Sequence, residues 1–151
     1  MGRWTRGEAD IEQLIAKGHL QKLDGEAANG TPLLEKAAQK LDSARTVVAN
    51  DPDSAFTLAY DAARTAGTAL LMQQGLRPTT DGGHTVVQDA LRAQFGQGFR
   101  HFGAMRRRRN ELEYFKRPGD FATRDEAEES IESAQTITDA AEALIDQLGL
   151  F

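Results

Sequence analysis

Residues 31–75, TPLLEKAAQKLDSARTVVANDPDSAFTLAYDAARTAGTALLMQQG, carry the pattern from which the fold of this 151-residue chain is read. Thr31 is placed as an N-cap and Pro32 at the first helical position, where its missing N–H costs nothing. Leu34, Ala37, Leu41, Ala44 and Val48 then recur by threes and fours, which is one apolar stripe of a helix. NDPDS interrupts it, and Asp51 ahead of Pro52 opens a second long helix. In that helix Ala59, Ala63, Ala66 and Leu70 form a seam of small side chains that lets a neighbouring helix approach closely, up to a stop near Gly75.

Working outward, a shorter helix is expected from Glu8 to Leu23 around Ile11, Leu14, Ile15 and Leu20, followed by the loop DGEAANG. On the other side LRPTTDGG leads into a helix with His84, Val87 and Leu91 on one face, broken by GQG at 96–98. An arginine-rich helix follows and is expected to stop by Pro118-Gly119. Thr123 with Glu126 then reads as a capping box for a last helix lined by Ala127, Ile131, Ala134, Ala141, Ile145 and Leu148. Strand signals are almost absent. The fold class is therefore all-α, an up-and-down antiparallel helical bundle of four long helices plus a short N-terminal helix. Residues 1–30 are assigned to the N-terminal helix and linker and 31–151 to the bundle.

Composition narrows the chemistry. There is no cysteine, so disulfides, thiolate metal sites and cysteine nucleophiles are excluded. No apolar run reaches membrane-spanning length and the start lacks the order of a signal peptide, so a soluble, cytoplasmic protein with no membrane partner is expected. The net charge of −5 conceals a segregation. Residues 100–117 carry seven cations against two carboxylates, whereas residues 118–151 carry one cation against nine. Such a balance disfavours loose wrapping of DNA and leaves room for one focused phosphate site.

At 100° per residue, RHFGAMRRRRNELEYFKR (100–117) resolves into two faces. Met105, Leu112 and Phe115 mark the core side, with Arg108 and Arg109 beside them. A guanidinium there must snorkel, meet a carboxylate or line a cleft. Arg106, Arg107, Asn110, Tyr114 and Arg117 fall on the far side, with Asn110 directly under Tyr114. Guanidinium forks bind phosphate, an amide fixes a base edge or oxygen, and a phenol stacks or donates. The competing reading is a charge run neutralised in part by Glu111 and Glu113, exposed to solvent or buried in a dimer.

Arg109-Asn110, late in a helical chain and ahead of a final long helix, resembles the start of the motif of the HEPN superfamily (higher eukaryotes and prokaryotes nucleotide-binding), as does GLRPTTDGGHTVVQDAL (75–91) its middle-helix region. The resemblance spans roughly residues 31–148. It implies a homodimer that brings two motif copies into one cleft, a metal-independent ribonuclease site, and an RNA or nucleotide ligand. It also implies a toxin-antitoxin or defence setting, with a cognate nucleotidyltransferase-type antitoxin as partner. Carried onto this sequence, the catalytic positions are Arg109, Asn110 and Tyr114, with Arg106, Arg107, Arg108 and Arg117 binding phosphate and His84 as an accessory group. The motif histidine is absent: Tyr114 stands at the shortest spacing, and no histidine follows His101. A phenol of ordinary pKa near ~10 is a poor base for a 2′-hydroxyl, so ribonuclease activity is expected to be weak or lost. A non-catalytic dimeric interaction module is the alternative.

No cofactor or metal is expected. His19, His84 and His101 show no paired spacing, and no phosphate-loop, dinucleotide or nucleophile-elbow motif occurs. His84 and His101 read more readily as core histidines than as site groups.

Overall fold

A computed structural model describes residues 2–151, and the side chains of all of these except residues 83, 84 and 97. The described residues form six helices and one small ribbon: α1 (Glu8–Ala16), β1 (Leu20–Lys22), α2 (Thr31–Val47), α3 (Pro52–Gln73), β2 (Leu76–Pro78), α4 (Val86–Phe95), α5 (Phe102–Glu113) and α6 (Arg124–Ile145). The chain is thus mostly helical. Of these, α2, α3 and α6 are long, at 17, 22 and 22 residues, whereas α4 and α5 reach only 10 and 12. The expectation of four long helices is corrected to three.

The stripes read from the sequence build the core. Leu34, Ala37, Leu41 and Ala44 of α2 are buried, and Ala59, Ala63, Ala66 and Leu70 of α3 are completely so. Ala127, Ile131, Ala134, Ala141 and Ile145 of α6 are buried as well, the last four in the same core cluster. The alanine seam keeps α3 central, with α2 and α6 both packed closely on it and on each other. Asp51 caps α3, its Oδ1 accepting the Ser54 N–H at 3.1 Å.

Three details differ from expectation. The first helix ends at Ala16, because Gly18 takes φ +77° and turns the chain into β1. Leu20 to Lys22 then pair antiparallel with Leu76 to Pro78, in the register Leu20 to Pro78 and Lys22 to Leu76. Ile11 and Leu20 are buried in the common core, α1 packs on α4, and the Trp4 indole N–H donates to the Gln94 carbonyl at 3.0 Å. Thr31 is the first helical residue, and the cap position is Gly30. The capping box at α6 is half made: Thr123 Oγ1 accepts the Glu126 N–H at 3.1 Å, while the Glu126 carboxylate turns away to Arg108.

α4 sits tightly on α3 because Gly67 has no Cβ, which would otherwise strike Leu91 Cδ1 and lie 3.3 Å from Val87 Cγ1. That approach, together with the β1–β2 ribbon, sets the walls of the cleft described next.

Candidate functional site

α5 and α3 pack face to face, bringing the arginine segment against residues 60–64. Between them and the end of β2 lies a cleft of about 520 Å³ lined by Tyr60, Asp61 and Arg64 of α3, Arg109 and Asn110 of α5, Pro78 to Thr80, and Val86 and Val87. The wall at Thr79 is held in place by the N-terminal segment, since its N–H donates to the His19 carbonyl at 3.0 Å.

The four arginines have separate environments. Arg108 is a structural clamp. Its Nε donates to Glu126 at 2.7 Å, and its terminal nitrogens donate to Asp120 at 3.1 Å and Glu111 at 3.1 Å. The hydrogen bonds it donates to Glu126, then those to Asp120, raise the guanidinium's proton affinity above its ordinary value. Reciprocally, the hydrogen bond from Arg108 holds the Asp120 carboxyl below the usual carboxylate range. Satisfied by three carboxylates, Arg108 has no charge left for a phosphate.

Arg109, one residue on, is half-buried, lines the cleft and pairs with Glu113 one turn away. Such an i, i+4 pair is worth only ~0.3–0.5 kcal/mol, so a phosphate can draw the guanidinium off cheaply. Arg106 donates through Nε to Gln88 Oε1 at 2.7 Å, a neutral partner that leaves its charge intact. Arg107 is exposed.

Tyr60, 6 % exposed, is stacked on Phe102 with ring centroids 5.5 Å apart. Burial pushes its phenol above the ordinary value, against the lowering fields of Arg64, Arg106 and Arg109. The hydroxyl therefore stays protonated at neutral pH, available as a donor beside three cations. Asp61 is the one carboxylate among the lining residues, and Arg64 is exposed with no ion pair among the described residues.

Of the residues assigned from the sequence, Arg109 and Asn110 come together in the cleft. Tyr114 does not. α5 ends at Glu113, Tyr114 leaves helical geometry at φ −113°, ψ 75°, and its side chain is 69 % exposed. Phe115, placed on the core side by periodicity, is likewise exposed. Residues 114–119 then reverse the chain and return Asp120 to Arg108. Arg117 is exposed on that loop. His101 is exposed at the α5 N-cap, away from the core, and accepts a hydrogen bond from Arg100 Nε at 3.3 Å. The His84 side chain lies outside the described residues.

Tyr60 and Arg64 escaped the sequence reading. The signal was present in the i, i+4 spacing of a tyrosine and an arginine on the alanine-rich helix, yet it acquires meaning only once α5 is known to pack there. No family model, curated protein or solved structure matches the chain.

Proposed function

We propose that this protein binds RNA or a nucleotide, holding a phosphate between Arg64 and Arg109. Asn110 orients the phosphate or an adjoining base edge, and Tyr60 donates from the floor. The observation carrying this reading is the convergence of a protonated phenol, an amide and two guanidiniums from two helices on one cleft containing a single carboxylate. Bidentate, charge-assisted hydrogen bonds to phosphate suit that set better than any neutral ligand would.

Binding, rather than cleavage, is the proposed activity. Cleaving RNA without a metal requires a group that exchanges protons near neutral pH. Tyr60 is shifted away from that range and Tyr114 stands outside the cleft. Membership of the HEPN superfamily, an up-and-down order of the bundle, pairing of two copies across α5, and a cytoplasmic toxin-antitoxin or defence role with a nucleotidyltransferase-type partner belong to the same proposal. They rest on the Arg109-Asn110 resemblance.

The test is a titration of a short labelled RNA, and of adenosine monophosphate as competitor, across ionic strength. The parent should bind more weakly as salt rises. Arg64→Ala and Arg109→Ala should each weaken binding by roughly tenfold or more, as loss of a charge-assisted contact of ~1.5–3 kcal/mol requires. Affinity indifferent to salt and to both substitutions would remove the proposal.

A further inference from the structure

Beyond the cleft, the loop that follows α5 exposes three aromatic rings, Tyr114, Phe115 and Phe121, at 69 %, 56 % and 56 %. Exposure of this kind would mean little on a loose loop. This loop is anchored. Arg108 grips Asp120, Asp53 Oδ1 accepts the Ala122 N–H at 2.9 Å, and Ala122 is buried with Phe56 and Leu112. Gly119, at φ +80°, makes the tight turn that returns Phe121 beside Phe115, and the Phe121 N–H closes it on the Gly119 carbonyl at 2.9 Å. The two phenyl rings meet edge to face with centroids 5.7 Å apart. In a T-shaped pair the ring that offers its edge keeps both of its own faces clear of its partner. The rings are therefore held in position and still presented outward.

The charge around them is positive. Lys116 and Arg117 sit between the rings in sequence, both exposed and without ion pairs among the described residues. The nearby carboxylates are occupied: Glu111 and Asp120 by Arg108, Glu113 by Arg109. Aromatic faces interleaved with free cations suit the stacked bases and phosphates of a single strand. The loop begins where the cleft ends, since Asn110 lines the cleft and its carbonyl accepts the Tyr114 N–H at 2.9 Å.

Resting on the phosphate-binding reading of the cleft, we infer that Tyr114, Phe115 and Phe121, with Lys116 and Arg117, form a base-stacking platform for single-stranded RNA whose phosphate enters the Arg64–Arg109 cleft. A second copy of the chain fits the patch less well. Three rings of about 200 Å² each, rather over half exposed, offer about 350 Å². A stable dimer buries about 800 Å² per partner.

The experiment compares the parent, Phe115→Leu/Phe121→Leu, Phe115→Ser/Phe121→Ser and Arg64→Ala/Arg109→Ala for binding of a labelled single-stranded oligouridylate and of adenosine monophosphate. Each protein is checked by thermal melting and sedimentation. Loss of a single stacked base, worth ~1–3 kcal/mol, predicts that both phenylalanine variants lose at least about 5- to 150-fold in oligouridylate affinity. They should keep the parent's affinity for adenosine monophosphate, its melting temperature and its sedimentation. The arginine variant should lose both ligands. The platform is overturned if the leucine variant binds oligouridylate as the parent does while the arginine variant does not. It is equally overturned if serine at both positions changes the oligomeric state, which would assign the patch to a second copy. If instead the phenylalanine variants lose the oligonucleotide and the arginine variant retains it, the cleft reading fails and the platform stands. A parent that binds neither ligand overturns both.

Discussion

Replacing Arg108 with methionine should destabilise the protein while leaving ligand affinity in the cleft unchanged, which separates it from Arg109 beside it. The side chain is 23 % exposed and meets Glu126 through two nitrogens, at 2.7 and 3.2 Å. A hydrogen bond between charged groups contributes ~1.5–3 kcal/mol in a protected site, and an exposed ion pair ~0.2–1 kcal/mol. With Glu126 31 % exposed, the pair falls between those limits, at about 1.5 kcal/mol. For a chain of this size that corresponds to a fall in melting temperature of roughly 3–6 °C. Methionine keeps much of the apolar stem, so the loss reports the guanidinium rather than a cavity. The assay is thermal unfolding followed by circular dichroism, with Arg107→Met as control, since Arg107 is exposed and should shift stability by no more than ~0.5 kcal/mol. A double-mutant cycle with Glu126→Gln isolates the pair. If Arg108→Met melts together with Arg107→Met, or the cycle shows no coupling, Arg108 is not the clamp.

The acid side of the stability profile should carry the signature of Asp120. Its folded-state pKa lies below the unfolded value of ~3.9, so its stabilising contribution is complete above that value and lost as pH falls through the lower one. Melting temperatures measured from pH 6 down to pH 2 should therefore fall more steeply for the parent than for Asp120→Asn below about pH 4, and parallel profiles would contradict it. Gly67→Ala should lower stability by ~1–3 kcal/mol from overpacking against Leu91 and Val87, offset by up to ~1 kcal/mol of helix propensity. An unchanged or raised midpoint in urea would show that α4 can retreat freely.

The helices carrying apolar stripes were legible because their periodicity is local: every stripe position named in α3 and α6 is buried. Other features required tertiary knowledge. The β1–β2 ribbon has three residues per strand, too few to display alternation, and Gly18 rather than any strand signal ends α1. Arg108 and Arg109 occupy equivalent places beside the core stripe. What distinguishes them is the return of Asp120 and Glu126 to one of them, from 12 and 18 residues away. The same reversal of the chain follows the early end of α5, with Tyr114 and Phe115 turned outward, against the helical extrapolation. Tyr60 and Arg64 lie some 45 residues before the arginine segment, so no local pattern joins them to it.

Segregation of charge lets a chain of net charge −5 keep a local excess of cations around the proposed anion site. Of the nine carboxylates after residue 117, Asp120 and Glu126 neutralise Arg108 and Glu128 pairs with Arg124. None of the nine lines the cleft. The number of free cations then fixes a measurable quantity. Arg64 and Arg109, holding one phosphate between them, would give a slope of log affinity on log salt of roughly −0.7 for a single strand. Engagement of Lys116 and Arg117 with one further phosphate each would steepen it to roughly −2.1. Titration of oligouridylate should give the steeper value and adenosine monophosphate a much shallower one. Two equal slopes would mean that the loop's cations never meet the strand.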